Sequence, residues 1–419
     1  MNQPFNMKLI LTHPTGNANV RATAEGLLQA DLLSDFYTSV ASFPGTLLDR
    51  LGGIHLFSEI RRRRFNPNLR PFTRVWPWRE VGRILTSKAG IVSLNRHETG
   101  YFSLDAVYQN IDKKVAADLK SAASRGVEAV YHYEDGSLFT FSQAKKIGLK
   151  CFYDLPIGYW RAALKLLKGE RERFPDWAVT LTNFEDSEEK LNRKDEELSL
   201  ADVIIVASTF TATTLLDYPG ILPPIEVIPY GFPPVCSNRE FAPASGHRRL
   251  KILFVGGLSQ RKGIADLFAV AEELEHHIEL TVVGCKAVEE CHALNIALTK
   301  HTWIPSLPHT DILKLMRQHD VLIFPSLFEG FGLVISEAMS QGTPVITTER
   351  TAGPDLITNN QNGWLIRAGA RDELRTSIEN LLTNPSVIRS NGKAAMETAR
   401  SRPWNMYGKD ITKAIIKYL

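Results

Sequence analysis

Two glutamates, Glu329 and Glu337, stand eight positions apart around a glycine-rich turn, in the stretch FPSLFEGFGLVISEAMSQGTPVI that begins at Phe324. VLIFPS is typical of a buried strand, LFEGFG of a turn, and LVISEAMSQ of a helix that ends before Gly342. Free N–H groups at the start of such a helix suit an anion such as a diphosphate. We therefore expect an anion site with a carboxylate on either side.

Carboxylates are good acceptors for pairs of neighbouring hydroxyl groups. A ligand with hydroxyls, a diphosphate and further hydroxyls in line is a nucleotide sugar. Gly330 and Gly332 would let the backbone approach such a ligand closely. The alternative is two ordinary surface glutamates near a turn, but the strand, the glycines and the helix together favour the binding site.

A second candidate anion site lies in LFVGGLSQRKGIADLF, where Gly256 and Gly257 form a turn at a strand end. Arg261 and Lys262 then precede a helix that begins near Gly263. Two adjacent cations are poorly placed at a helix start unless an anion lies among them. Arginine grips phosphate oxygens as a fork, and lysine acts as a point charge. The alternative is a solvated basic turn.

The first half of the chain offers weaker candidates. Gly16 follows the first strand in HPTGN, as a glycine does in any doubly wound domain, and His132 stands at a strand end in YHYEDG. A lone histidine there either faces a cleft or is a packed polar residue, and both interpretations stay open.

Short apolar strands alternate with helical patterns along the whole chain and predict an α/β fold. MKLILTH, GVEAVYHYED, KCFYDLP and ADVIIVAST are predicted strands, and a Pro-, Gly- and Ser-rich linker is expected at about 229–249. The pattern restarts at LKILFVGG. We expect two doubly wound, Rossmann-like domains that face each other across a cleft, with ligands at the carboxyl ends of the strands.

The composition sets few limits on partners. A chain of 419 residues suits two domains, and 49 Lys and Arg nearly balance 46 Asp and Glu. The N-terminal segment resembles a strand and not a signal peptide, and the longest apolar runs fall short of a bilayer span. Four scattered cysteines favour a reducing compartment, so we expect a cytoplasmic protein. We expect no nucleic acid partner.

Charge is uneven in the first quarter of the chain. Eleven Lys or Arg face three Asp or Glu between Arg50 and Gly100, in a segment that includes the run Arg61–Arg64. A basic, aromatic segment can lie on an anionic membrane surface, which would make the protein peripheral on the inner face of the membrane. The alternative is a solvated helix face beside an aromatic core edge.

With these motifs in place, the chain resembles the retaining glycosyltransferases of family 4, which have the GT-B fold. The resemblance is strongest over Lys251–Ile366, where FPSLFEGFGLVISEAMSQGTPVI matches the E-x7-E signature and VGGLSQRKG matches the phosphate loop. RPWNMYGKDI is similar to the crossing C-terminal helix of the family. The resemblance implies an acceptor-binding domain at 1–235, a nucleotide-sugar-binding domain at 236–398 and a crossing helix at 399–419.

The resemblance also implies a hexosyltransferase-type enzyme that moves a sugar from a UDP- or GDP-sugar to a hydroxyl group, with retention and without a metal or other cofactor. The acceptor would be a glycan, a lipid-linked sugar or a small molecule. Glu329 would bind sugar hydroxyls and Glu337 the ribose, with the nucleobase near Trp303 and Ile304. The expected catalytic residues are Glu329, Arg261, Lys262 and His132, and the expected donor-binding residues are Gly16, Gly257, Arg261, Lys262, Trp303, Ile304, Glu329, Gly330, Phe331, Gly332, Leu333 and Glu337.

The sequence departs from the family at Gly257, where many members carry an arginine, and Arg261 would take over that role. No Asp-x-Asp triplet occurs, which agrees with metal-independent transfer. Three alternatives remain: a glycosidase with paired carboxylates, a nucleotide-sugar epimerase or hydrolase on the same fold, and a non-catalytic scaffold.

Overall fold

The computed structural model describes residues 7–51, 63–182, 185–241 and 248–419. In the first half, seven described strands form one parallel sheet in the order β3-β2-β1-β4-β5-β6-β7. The five inner strands are buried on both faces, as in parallel sheets covered by helices, while the two edge strands are partly exposed. The strands are β1 (Lys8–Thr12), β2 (Leu33–Thr38), β3 (Thr73–Val75), β4 (Val127–Tyr133), β5 (Lys150–Leu155), β6 (Val203–Val206) and β7 (Ile225–Val227).

The helices around this sheet follow its strands in alternation. They are α1 (Ala18–Gln29), α2 (Leu47–Leu51), α3 (Trp78–Lys88), α4 (Leu104–Ala123), α5 (Leu138–Ile147), α6 (Trp160–Arg173), α7 (Glu188–Leu200) and α8 (Thr209–Thr214). A 3-10 helix at Pro175–Thr180 follows α6. Ser103, Ser187 and Ser208 cap α4, α7 and α8 by accepting a backbone N–H of the first turn.

The second half repeats the architecture with six described parallel strands in the order β10-β9-β8-β11-β12-β13. The strands are β8 (Leu250–Val255), β9 (Ile278–Val283), β10 (Thr302–Ile304), β11 (Val321–Phe324), β12 (Val345–Thr348) and β13 (Trp364–Ile366). The helices are α9 (Ile264–Glu273), α10 (His292–Thr299), α11 (His309–Gln318), α12 (Leu333–Ser340), α13 (Gly353–Leu356), α14 (Arg371–Thr383), α15 (Ser386–Ser401) and α16 (Trp404–Tyr418).

The strand order of each sheet reverses next to its first strand, which lies between the second and the fourth strand of that sheet. Loops diverge at such a point and leave a crevice beyond the carboxyl ends of the strands. In the second sheet this crevice lies between the turns that follow β8 and β11, which are neighbours in the sheet. These two turns carry both predicted anion sites.

The two sheets share one cluster of buried apolar side chains, with an aromatic junction between them. The Tyr230 ring lies 4.9 Å from the Phe331 ring and 5.3 Å from the Tyr407 ring, between ring centres. Helix α16 packs on α1 so closely that a Cβ at Gly408 would lie 2.4 Å from the Ala22 carbonyl oxygen. The last helix therefore joins the second half of the chain to the first sheet.

The predicted fold class, two doubly wound α/β sheets in the GT-B arrangement, is confirmed. In the described part of the predicted linker, Phe232 pairs with Pro403 and the Cys236 N–H donates to the Ser340 carbonyl at 3.0 Å. The division at 1–235, 236–398 and 399–419 stays a prediction. No described helix combines the length and the apolar character that a bilayer crossing requires.

The predicted basic run Arg61–Arg64 is only partly described, because Arg61 and Arg62 lie outside the described residues. Arg63 is buried, pairs with Glu80 and donates to the Pro14 carbonyl oxygen at 3.0 Å. Arg64 is exposed and pairs with Asp49 at 3.1 Å. Arg63 is therefore a structural cation that cannot reach a membrane surface.

Candidate functional site

The turn between β11 and α12 holds the first predicted carboxylate, Glu329, in a half-buried position. The next residue must be glycine, because a Cβ at Gly330 would lie 1.9 Å from the carbonyl oxygen of Pro156, which follows β5 of the first sheet. Gly332, at φ 84°, is the N-cap of α12, and Phe331 packs in the core behind the turn. Leu333 opens the helix and is exposed. The turn thus lies between the two sheets.

Arg261 and Lys262 lie in a short 3-10 helix (Gln260–Lys262) after β8 and both contact Glu329. The Arg261 guanidinium donates to the Phe328 carbonyl at 2.7 Å and lies 3.4 Å from a Glu329 carboxylate oxygen. Lys262 Nζ pairs with the same oxygen. The structure therefore brings together three of the four predicted catalytic residues.

Two nearly buried cations share one carboxylate at this site, and no second carboxylate pairs with them among the described residues. Burial lowers the pKa of Arg261 to about 10, and burial together with the neighbouring Arg261 lowers the pKa of Lys262. An anion beside both cations would oppose these shifts. The electrostatics of the site therefore favour an anionic ligand, as the sequence predicts.

Glu337 lies one to two turns into α12 and is bonded to a histidine that sequence reasoning missed. The His309 ring nitrogen Nε2 lies 3.0 Å from the Glu337 carboxylate, and this hydrogen bond raises the pKa of His309. His309 begins α11, 28 positions earlier in the chain. No local sequence pattern predicts this pair, because the two residues meet only through the packing of α11 beside α12.

Three further predicted donor-binding residues lie just after β8 or on β10. Gly257 is exposed, and a Cβ there would meet nothing within 4 Å. The Trp303 indole N–H donates to the Gly284 carbonyl at 3.0 Å, and the Ile304 carbonyl accepts the Gly284 N–H at 3.0 Å. Trp303 and Ile304 therefore already bond to the turn after β9, and a nucleobase there stays a prediction.

The two predicted residues of the first sheet lie in different surroundings. Gly16 has a φ of 67° and packs under the Phe65 ring, and a Cβ on Gly16 would lie 2.2 Å from that ring. His132 is fully buried on β4, with its Nδ1 atom 2.8 Å from the Gly136 carbonyl and its ring against Phe141. The structure does not bring His132 into contact with Glu329, and its catalytic role stays a prediction.

Sequence reasoning also missed a clamp from the first sheet on the glycine turn. Ser208 and Thr211, around the start of α8, donate their hydroxyls to the Gly330 carbonyl at 2.5 and 2.8 Å. The Thr209 N–H donates to the Asp355 carboxylate at 3.0 Å. The only sequence signal, ASTFTAT, is typical of a helix cap, and Ser208 does cap α8.

A second contact between the halves holds the phosphate-loop candidate, and we call it the latch: Glu170, Arg173 and Thr180 against Ser259, Gln260 and Asp266. Thr180 accepts the Ser259 hydroxyl at 2.6 Å through its carbonyl and the Gln260 N–H at 2.9 Å through its hydroxyl. Arg173 grips Asp266 with two bonds of 2.6 and 2.9 Å. The loop that carries Arg261 and Lys262 is thus fixed by the first half of the chain.

One group of possible metal ligands occurs among the described residues, at a distance in sequence from this site. Ligand atoms of His97, Glu98 and Asp186 lie within 4.8 Å of one another. Lys190 Nζ already lies 3.0 Å from the Asp186 carboxylate, so a cation neutralises part of the group. At the candidate site itself, the two cations Arg261 and Lys262 suit an anion and not a metal ion.

The fold and the site together define a two-sheet α/β protein with an anion site between its halves. Residues 237–398 match the family described as glycosyl transferases group 1. Glycogen synthase from Mycobacterium tuberculosis is 27% identical over 161 residues, which are 36% of this chain and 38% of that protein. The resemblance to the glycosyl transferases group 1 family therefore covers residues 237–398 of this chain.

Solved structures of the same fold cover nearly the whole chain. Sucrose-phosphate synthase from Thermosynechococcus elongatus superposes with a TM-score of 0.65 at 18% identity, over 98% of this chain and 99% of that one. HepE from Anabaena, in complex with UDP-glucose, gives a TM-score of 0.59 at 16% identity, over 98% and 99%. At such identities these structures bear on the fold alone, while the curated relative is matched over less than half its length.

Proposed function

We propose that the protein is a retaining, metal-independent glycosyltransferase that moves a hexosyl group from a nucleotide-diphosphate sugar to a hydroxyl group. The observation that carries the proposal is the shared contact of Arg261 and Lys262 with Glu329, at the turn that opens α12. Two cations at the carboxyl ends of β8 and β11 suit a diphosphate. The UDP-glucose bound by HepE, which has the same fold, supports a donor of this class.

In the proposed reaction the acceptor oxygen bonds to the anomeric carbon while the bond from that carbon to the diphosphate breaks. The acceptor attacks on the face from which the leaving group departs, so the anomeric configuration is retained. The acceptor proton goes to a diphosphate oxygen on that same face. Arg261 and Lys262 stabilise the negative charge that grows on the diphosphate. Arriving diphosphate oxygens compete with Glu329 for both cations and release its carboxylate for the sugar hydroxyls.

The donor-side contacts follow the order of groups in the ligand. Glu337, held by His309, would accept the ribose hydroxyls. Backbone N–H groups between Gly330 and Leu333 would add donors near the diphosphate, and the base would lie near Trp303. Whether that base is uracil or guanine depends on main-chain contacts that both bases can make.

The acceptor is proposed only as a class: a glycan, a lipid-linked sugar or a small molecule with a free hydroxyl. It would bind to the first sheet, opposite the donor. One relative that matches part of this chain is named glycogen synthase, which favours a sugar acceptor.

The proposal is tested first by thermal unfolding with UDP, GDP, ADP and TDP, and then with the sugars of the nucleotide that responds. A ligand at about 100 times its dissociation constant adds about 2.7 kcal/mol to the free energy of unfolding. We expect one nucleoside diphosphate to raise the melting temperature. A failure of all four to do so would contradict the donor site.

The alternative of a nucleotide-sugar epimerase or hydrolase is tested by product analysis without an acceptor. We expect the donor to stay intact until an acceptor is added, and EDTA to leave the transfer unchanged. Free sugar or an epimerised donor at the rate of transfer would support the alternative, and loss of transfer in EDTA would contradict metal independence.

A further inference from the structure

Helix α3 turns its apolar side chains toward solvent. Trp78, Val81 and Leu85 follow one another at i, i+3 and i+7 and so share one stripe of the helix. Trp78 is 70% exposed, Leu85 61% and Val81 41%. A surface helix of a globular protein normally buries such a stripe against the core.

The opposite side of α3 buries charge. Glu80 is wholly buried and paired with Arg63 and, at 2.7 Å, with Arg83. Gly82 lies under the Phe102 ring, and a Cβ on Gly82 would lie 2.2 Å from that ring. The helix is therefore held by an ion-pair network and a ring contact, and its apolar stripe stays largely exposed within the part of the chain that the structure describes.

Neighbouring segments extend the apolar stripe into a larger patch. The Ile91 N–H donates to the Thr86 carbonyl at 2.9 Å, which folds the next turn back on α3. Arg79 lies over the Tyr101 ring at 3.5 Å. We define the α3 surface as the exposed apolar residues of this unit: Val75, Trp78, Val81, Leu85, Ile91, Val92, Tyr101 and Leu104.

The segment that carries the α3 surface is rich in cations. Between Arg70 and Leu104 the sequence has six Arg or Lys and two acids, Glu80 and Glu98. Glu80 is buried, and Glu98 is bonded to Ser187 at 2.9 Å. Arg70 and Arg96 are exposed cations of this segment, and Arg74 is exposed as well but pairs with Asp35 at 2.9 Å.

We propose that the α3 surface docks on an anionic lipid bilayer, with Trp78, Leu85 and Val92 in the interface and the cations on the headgroups. An apolar face with a tryptophan, edged by Arg and Lys, has the composition of interfacial helices. Each cation near an anionic surface adds to the attraction. A second copy of the chain is disfavoured, because it would bring the same positive charge against this face.

The proposal moves the candidate membrane contact from Arg61–Arg64 to α3 and its neighbours. It does not depend on the transfer reaction, because it concerns a face held together by its own contacts. Binding to vesicles can therefore be measured with no nucleotide and no acceptor.

The test is flotation of the full chain with vesicles of phosphatidylcholine alone and of equimolar phosphatidylcholine and phosphatidylglycerol. We expect binding to the anionic vesicles that weakens with added salt. The double variant Trp78→Ser/Leu85→Ser should bind them at least about tenfold more weakly, since two inserted side chains are lost. The matched control Leu216→Ser/Ile221→Ser removes two exposed apolar side chains elsewhere and should bind like wild type.

Three results would overturn the proposal. The first is no binding of the wild type to anionic vesicles, and the second is equal binding by the Trp78→Ser/Leu85→Ser variant with wild-type melting temperature. The third is a dimer of the wild type, seen by sedimentation velocity, that the double variant loses. That result would make the α3 surface an interface between copies of this chain.

Discussion

Glu329 has two tasks at the scale of single residues. In the structure it neutralises Arg261 and Lys262, and in the proposed reaction it binds the sugar while the diphosphate takes its place beside the cations. An experiment can separate the two tasks, because only the binding of the sugar needs the carboxylate during transfer.

Glu329→Gln keeps the size of the side chain and removes its charge. We expect kcat to fall by about 10²- to 10³-fold, as when one stabilising contact to the reacting group is lost. The affinity for the nucleoside diphosphate should stay equal or rise, because the cations lose their internal competitor. Steady-state kinetics and calorimetry measure the two effects, and a near wild-type kcat would contradict the role of Glu329.

The His309–Glu337 pair predicts a pH dependence of stability. The bond to Glu337 raises the pKa of His309 above its ordinary value, so the pair stabilises the fold below that value. This contribution is lost as the pH rises through the raised pKa of His309. His309 is exposed, so the effect is small, and it is seen as a difference in urea unfolding between wild type and His309→Asn.

We expect the destabilisation caused by His309→Asn to be largest below the ordinary pKa of histidine, about 6.5, and to fade as the pH rises through the raised pKa of His309. His276→Asn, at an exposed histidine outside the site, serves as the control. A constant difference between wild type and His309→Asn across this range would contradict the predicted ion pair.

At the scale of elements, the latch makes the 3-10 helix Pro175–Thr180 a support for the phosphate-loop candidate. Thr180→Val keeps the volume and removes the acceptor of the Gln260 N–H. A lost hydrogen bond of about 1 kcal/mol should weaken binding of the nucleoside diphosphate about fivefold. Calorimetry measures this loss.

The conservative change Thr180→Ser should restore the affinity, because it keeps the hydroxyl. Thr213→Val removes an exposed hydroxyl within α8 and should leave the affinity unchanged. If Thr180→Val lowered the melting temperature without any change in affinity, Thr180 would be a structural residue only.

The elements themselves were largely predictable, while their contacts were not. MKLILTH or VLIFPS is recognised as a strand because a short, wholly apolar run must be buried on both faces. The turn at Glu329 is predictable from local sequence, because a strand pattern, two glycines and a helix pattern follow one another there. The contacts of Gly330 with Ser208, of Thr180 with Gln260 and of His309 with Glu337 join residues far apart, and no local spacing encodes them.

The outward apolar stripe of α3 shows a further limit of prediction. Its periodicity indicates an amphipathic helix, but not which face the fold buries. Burial of Glu80 with Arg63 decides the orientation, and that pair is 17 positions apart. The basic run therefore indicated the region of the charged face but not the residues that form it.

At the scale of the whole molecule, α16 ties the two halves together through backbone contact with α1. A Cβ at Gly408 would collide with the Ala22 carbonyl, so we expect Gly408→Val to lower the free energy of unfolding by about 1–3 kcal/mol. Gly169→Ala, in α6, meets nothing within 4 Å and should raise stability by about 0.5–1 kcal/mol. Urea unfolding compares both, and an unchanged stability of Gly408→Val would contradict the close packing.

The central claim is that Arg261 and Lys262 bind the diphosphate of a nucleotide sugar. The most direct measurement is calorimetry of the responding nucleoside diphosphate, and of its nucleoside, with wild type and Arg261→Ala/Lys262→Ala. Loss of two charge-assisted contacts, at about 1.5–3 kcal/mol each, predicts that the diphosphate binds at least about 100-fold more weakly while the nucleoside binds nearly as before. Equal losses for both ligands, or no loss for the diphosphate, would contradict the account.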